Sequence, residues 1–310
     1  MAFKILSVDG GGFRGVYAAH ILARIEQEYN IDWKKTFNLL AGTSTGSIIV
    51  AGLACGIKAT DICDFYKKHG SKIFKKRLIP TCGILSSKYN NKYFNSILKE
   101  IFKDRTLGEI DIPLILPATD IGNGTVHVFK TSYDKEFVCD RNVKVRDAIL
   151  ASCSAPTYFD PYKIENYFLV DGGIWANSPS LVAVIESMHR LDQKIDDLKV
   201  ISIGTGIQNA FYSQKNHWWH HLTGWGFASR WQGSKFIKML LNLQAETANN
   251  MTKLLLQSDQ LLRINFKTDS TLPLDNIKEL NDLISRADRD FSHNAKKIKS
   301  FLNLKLGGRQ

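Results

Sequence analysis

Between residues 37 and 51 an apolar, strand-like run ends at Gly42 and a helix-like run begins just after Ser44, with Gly42-Thr43-Ser44-Thr45-Gly46 standing between them as G-x-S-x-G. A strand that turns abruptly into a helix needs small residues on both sides of the turn. Gly42 and Gly46 let neighbouring backbone pass close, so that a strained residue can occupy the tip. That residue is Ser44, and its hydroxyl is expected to be exposed at the positive end of the following helix, where a developing oxyanion is favoured. G-x-S-x-G alone arises by chance in a chain of this length roughly one time in ten. The strand–turn–helix setting is what gives it weight.

The segments around it read as an α/β protein. Residues 4–8 form a buried strand, Asp9-Gly10-Gly11-Gly12-Phe13-Arg14-Gly15 a glycine-rich turn, and residues 16–29 a helix with Ala18, Leu22 and Ile25 on one face. Strand, glycine turn, helix, strand, Ser44 turn and helix open a parallel sheet. Gly56 suits a helix C-cap, and Thr60 or Asp61 is expected to cap the helix that ends before Pro80. Further helices are predicted over 93–102, 145–151, 180–190 and 235–256 and in the basic tail. Strands are predicted over 113–119, 125–131, 167–170, 200–203 and 261–266. The 310 residues suffice for one large domain, with no internal repeat or low-complexity linker. Composition changes after Gly206, where Trp218, Trp219, Trp225 and Trp231 mix with His217, His220 and His221. This segment reads as a partly buried cap over the sheet or as an interfacial lid. The division expected is a catalytic core over 1–206, with 207–310 completing the same domain.

No apolar stretch reaches the 18 residues of a spanning helix, and the N-terminus does not read as a signal peptide. Cys55, Cys63, Cys82, Cys139 and Cys153 are scattered and odd in number, so neither a disulfide framework nor a zinc site is indicated, and a reducing cytosol is the expected home. The net charge is +11, and residues 61–105 supply +7 of it through eleven basic and four acidic side chains, led by Lys67, Lys68, Lys72, Lys75, Lys76 and Arg77. A solvated helix face, an anionic membrane surface and a small anionic ligand each fit that charge. A nucleic-acid polymer is not expected, since the chain shows no zinc finger, RRM signature or basic zipper.

Three glycine-bearing motifs stand at the ends of predicted strands: Gly10 to Gly15, Gly42 to Gly46, and Asp171-Gly172-Gly173. If all three strands run parallel, their C-terminal ends share one edge of the sheet, and the motifs converge there. The first matches the G-x-G-x-x-G of dinucleotide folds, but no acidic residue ends the second strand. A better use is an oxyanion hole made by the N–H groups of Gly11 and Gly12, with Arg14 suited to hold a phosphate of the substrate. A serine nucleophile needs a base. His217, His220, His221 and His293 follow Asp171 in sequence, but none lies in a strand-end turn, whereas Asp171 does. A carboxylate can act as base if its surroundings tune its pKa.

These residues resemble the patatin-like phospholipases, a family marked by D-G-G-G-x-R-G, G-x-S-x-G and D-G-G in this order. Asn177-Ser178-Pro179 and Ser154-Ala155-Pro156 ahead of Phe159 resemble that family's flanking segments. The resemblance covers residues 3–206. It implies a three-layer α/β/α fold with a mostly parallel sheet, a Ser44–Asp171 dyad, a Gly11/Gly12 oxyanion hole, no metal or other cofactor, and hydrolysis of glycerolipid acyl esters. Beyond residue 206, Gln244-Ala245-Glu246 and Leu262-Arg263-Ile264-Asn265 are similar to the bacterial cyclic-nucleotide-activated phospholipases of anti-phage systems, which degrade the host membrane. That narrower resemblance implies a cyclic dinucleotide activator and a cytoplasmic protein working peripherally at the inner face of the membrane. Self-association into a homo-oligomer is left open. The competing readings are a Ser–Asp–His carboxylesterase, a patatin-type lipase without nucleotide control, and a catalytically silent binding protein.

Overall fold

The computed structural model describes residues 2–77, 86–208, 234–269 and 272–303. β1 (Phe3–Val8) leads through the glycine-rich turn into α1 (Gly15–Tyr29). The short α2 (Trp33–Thr36) precedes β2 (Leu39–Gly42), and α3 (Thr45–Ala54) follows Ser44 directly. Then come α4 (Ala59–Ile73), α5 (Asn91–Phe102), the hairpin β3 (Leu114–Asp120) and β4 (Thr125–Lys130), α6 (Val145–Ser152), and the hairpin β5 (Tyr162–Ile164) and β6 (Tyr167–Asp171). A short α7 (Gly173–Ala176), α8 (Ser180–His189), β7 (Leu198–Ile203) and β8 (Ile207–Gln208) follow. The described chain closes with α9 (Ser234–Leu255), β9 (Leu261–Ile264), β10 (Lys267–Thr268) and α10 (Leu280–Phe301).

The main sheet runs β5-β6-β3-β2-β1-β7-β9, with β4 also paired to β3. Its centre is parallel: β1 pairs with β2 and β7, β2 with β3, and β7 with β9. Successive side chains of β1 enter different cores, Leu6 and Val8 on one face and Ile5 on the other, so the strand is buried on both sides. Helices α1, α3, α4, α5, α6 and α10 supply the larger layer; α8, with α9 packed on it, supplies the other. This is the mostly parallel three-layer α/β/α fold that the sequence predicts.

Two local features differ from the sequence reading. The helix expected to start at Thr60 or Asp61 starts at Ala59, behind Lys58, which contributes no side-chain cap. The cap comes from another element: Glu26 Oε2 on α1 accepts the Ala59 N–H at 3.0 Å. The strand carrying Asp171 is not parallel. β6 runs antiparallel to β3, with Ala118 opposite Asp171. Beyond Gly206 the chain returns to the same sheet through β9 and to the same layer through α10, whose Asp290 accepts the Tyr17 hydroxyl of α1 at 2.7 Å. The tryptophan-rich segment, His217, His220, His221 and Cys82 lie outside the described residues. Among the described residues no helix is long and apolar enough to cross a membrane.

Candidate active site

Ser44 sits where β2 breaks into α3, as the N-cap of a helix whose ten residues are all buried. Its φ of 54° and ψ of −122° lie in a region that L-residues rarely adopt, which is the strain expected of the tip of such a turn. Close backbone approach explains the second glycine: a Cβ at Gly46 would lie 2.2 Å from the Val8 carbonyl oxygen. The strain is held from outside the turn. Ser152 Oγ accepts the Ser44 N–H at 3.0 Å and donates to Pro117 O at 2.6 Å, while Ser47 Oγ donates to Ser44 O at 2.6 Å. Ser44 as a residue is 8% exposed.

Asp171 reaches Ser44 from the opposite direction. β3 continues past the end of β2, and antiparallel β6 delivers Asp171 opposite Ala118, level with the Ser44 turn. The Gly173 N–H donates to Asp171 Oδ1 at 2.7 Å, and the Ser44 side chain lies near enough to the carboxylate to favour its charged form. Burial nevertheless raises the Asp171 pKa to about 6, against the lowering effect of Ser44 and the Gly173 N–H. A carboxylate so placed can take the proton of the hydroxyl beside it. Among the described residues no histidine hydrogen-bonds either group, and His293 is exposed on α10. The Cys153 thiol also meets Ser44 and Ser47; burial pushes its pKa well above that of a free thiol, so it stays neutral.

Gly10, Gly11 and Gly12 form the third side. Gly12 has φ +59°, and Leu274 O occupies the space a Cβ would need, at 2.3 Å. The loop is fastened at both ends. Gly10 N donates to Asn177 O at 2.9 Å, Phe13 N to Leu274 O at 2.7 Å, and Thr205 Oγ1 to Gly10 O at 2.6 Å. Among the described residues the N–H groups of Gly11 and Gly12 have no acceptor. Arg14 is buried, with its guanidinium on the carbonyls of Gly11 at 3.1 Å and Gly206 at 3.2 Å. Asp9, ahead of the glycines, takes Arg263 of β9 through both carboxylate oxygens, the Oδ1 contact being 3.0 Å.

The sequence reading did not find the turn that joins these parts. Over residues 175–177 four backbone groups are engaged by other parts of the chain. Gln244 of α9 donates to Trp175 O, Thr43 Oγ1 donates to Ala176 O at 2.6 Å, Asn177 N donates to Gln244 Oε1 at 3.0 Å, and Asn177 O takes Gly10 N. One turn thus ties the serine strand, the glycine loop, the Asp171 segment and a helix far along the chain. Asn177 and Gln244 stand in two of the segments that resemble the family, but nothing in the sequence says that they meet.

The profile of the family described as patatin-like phospholipase matches residues 6–184. A cGAMP-activated phospholipase of Pseudomonas aeruginosa is 32% identical over 66% of this chain and 62% of its own length, so this chain aligns with under two thirds of that relative. A cGAMP-activated phospholipase of Escherichia coli is 29% identical over 99% of this chain and 88% of its own. The crystal structure of VipD from Legionella pneumophila superposes with a TM-score of 0.53 over 97% of this chain and 67% of that one, at 12% identity, which bears on the fold alone.

Proposed function

The chain belongs to the patatin-like phospholipase family, and from that premise we propose that it hydrolyses glycerophospholipid acyl esters with a Ser44–Asp171 dyad. The observation that carries this reading is the placing of the strained Ser44 turn level with a buried Asp171 carboxylate, whose pKa burial raises to about 6. Ser44 Oγ attacks the ester carbonyl carbon while its proton passes to Asp171. The carbonyl oxygen becomes an oxyanion held by the N–H groups of Gly11 and Gly12. Removing one such donor typically costs about 10²–10³ in rate. Collapse of the intermediate expels the lysolipid alkoxide, which takes the proton back from Asp171 and leaves an acyl-enzyme on Ser44. Water then attacks the acyl carbon and gives its proton to Asp171. The second collapse releases the fatty acid and returns the proton to Ser44. In this scheme Arg14, spent on the carbonyls of Gly11 and Gly206, braces the donor loop rather than holding substrate phosphate. The protein would work peripherally, at the inner face of the cell membrane.

The names of the two bacterial relatives support a second level of control, in which a cyclic dinucleotide switches hydrolysis on; we further propose that the lipid degraded is that of the cell's own membrane, in anti-phage defence. Both levels are tested with the full chain on phosphatidylglycerol vesicles. Fatty-acid release is expected to rise with one member of a cyclic dinucleotide panel that includes cGAMP. It is expected to fall by at least 10³-fold in Ser44→Ala and Asp171→Asn, with fluorophosphonate labelling lost from Ser44→Ala. Residual lipase activity of a few per cent in Ser44→Ala would sink the dyad. Full activity without any nucleotide would leave the dyad standing and remove the activator.

A further inference from the structure

Away from the dyad, a cleft of about 560 Å³ opens between the end of α4 and the start of α5, lined by Lys72, Lys75, Lys76, Arg77, Lys92 and Tyr93 among others. That volume is in the range of small-molecule sites, and its walls are dominated by one sign of charge. Lys72 Nζ lies 5.6 Å from the centroid of the Tyr93 ring, whose hydroxyl is fixed by His69 Nδ1 at 2.8 Å. Arg77 pairs with Asp160 at 2.5 Å, and Asp160 also accepts Ser87 Oγ at 2.6 Å. Among the described residues no carboxylate pairs with Lys72, Lys75, Lys76 or Lys92. The first turn of α5 likewise carries no acid.

Four ammonium groups and one half-neutralised guanidinium around a single cleft repel one another within a Debye length. The His69 imidazole records that field, with its pKa lowered by burial and by Lys68 and Lys72. An occupant with two or more negative charges would reverse the repulsion. We propose that the cleft is a second binding site, distinct from the Ser44 centre, for a small phosphate-bearing anion. A nucleotide in solution and the headgroup of a phospholipid both present that chemistry. The site stands one residue from the glycine loop through packing. Phe74, between Lys72 and Lys75 in sequence, meets the Phe13 ring edge-on at 6.4 Å, and α4 passes so close to Phe13 that a Cβ on Gly70 would lie 2.4 Å from its ring. Phe13 follows Gly12. Tyr66 of the same helix donates to Thr45 O, next to Ser44, at 3.1 Å. The end of α4 is thus joined to both sides of the dyad by direct contact.

The test uses the full chain with Ser44→Ala, so that binding is read without turnover. The probes are inorganic pyrophosphate, cGAMP and vesicles containing phosphatidylglycerol. At least one probe is expected to bind, with affinity falling at least tenfold in the Lys75→Glu/Lys76→Glu/Lys92→Glu chain. In the Ser44 background the same three changes should leave thermal unfolding and fluorophosphonate labelling as they were. Loss of the soluble probes alone assigns the site to a free nucleotide; loss of vesicle binding alone assigns it to a headgroup. Equal binding of all three probes by both chains would overturn the site, as would a chain with native lysines that binds none. Because no hydrolysis is read in the binding arm, an inactive Ser44 chain leaves the outcome intact.

Discussion

Burial takes Asp171 out of water, and the Gly173 N–H and the nearby Ser44 side chain do not offset the loss: its pKa rises from 3.8 to about 6. Catalysis needs the carboxylate, so kcat/KM on a short soluble ester is expected to fall tenfold per pH unit below about 6 and to level off above it. The consequence for stability has the opposite sense. Between pH 3.8 and about 6 the folded chain holds a proton that the unfolded chain has released. Unfolding free energy therefore decreases as pH rises through that window, and the decrease is complete above it. Its size is on the order of 3 kcal/mol. Asp171→Asn removes the ionisation and keeps an oxygen for the Gly173 N–H. It is predicted to be inactive, yet more stable than the native chain at pH 8 by up to about 3 kcal/mol, with little difference at pH 4. Denaturant curves at the two pH values check this, and an equal increment at both would rule out the ionisation of Asp171 as its source.

α9 reaches the turn beside this site through Gln244. Gln244 closes the turn over residues 175–177 by donating to Trp175 O and accepting from Asn177 N, while Asn249 and Thr252 of the same helix hold Ser178 and Ser180. Gln244→Leu keeps the volume and removes both hydrogen bonds. Since a misplacement of about 1 Å costs up to 10² in rate, kcat is predicted to fall 10- to 100-fold with KM little changed. The acid limb of the pH profile should shift as water reaches Asp171. An unchanged kcat and an unmoved limb in the folded variant would reduce Gln244 to a packing residue. Nothing in a helical pattern around Gln244 distinguishes such a side chain from a solvated one. The elements that were legible are those fixed locally: the strand–turn–helix at Ser44, the glycine turn, the helices with apolar faces. What was not legible depends on pairing across the chain. The direction of β6 is set by β3, and with it the level at which Asp171 arrives. The cap of α4 is set by Glu26, so Thr60 and Asp61 sit inside the helix. The parallel-edge argument brought Asp171 to Ser44 by a route the chain does not take; the convergence comes from β3 extending past β2.

Whole-molecule stability rests on the part of the chain that the family profile does not reach. Residues after 206 add β9 to β7 and place α10 on α1. They put Leu262, Ile264, Phe266, Leu272, Leu283, Phe291, Ile298, Phe301 and Leu302, all buried, into the same core as the first strands and helices. At about 1.5–3 kcal/mol for each such side chain, their burial contributes at most roughly 13–27 kcal/mol before the entropy of ordering them is subtracted. The same residues hold the glycine loop, through Arg263 on Asp9 and Leu274 O on the Phe13 N–H. We therefore propose one domain rather than a core with an appendage. A chain ending at Gly206 is predicted to show no cooperative thermal transition, and its Ser44 should not react with a fluorophosphonate. The milder Arg263→Met keeps the strand but leaves the buried Asp9 carboxylate without its partner. A loss of about 3–5 kcal/mol is expected for breaking a buried pair on one side, together with slower labelling of Ser44 as the loop loosens. A truncated chain that melts cooperatively and is labelled at the full-length rate would show instead that residues 1–206 fold alone, with the later strand and helix only resting on them.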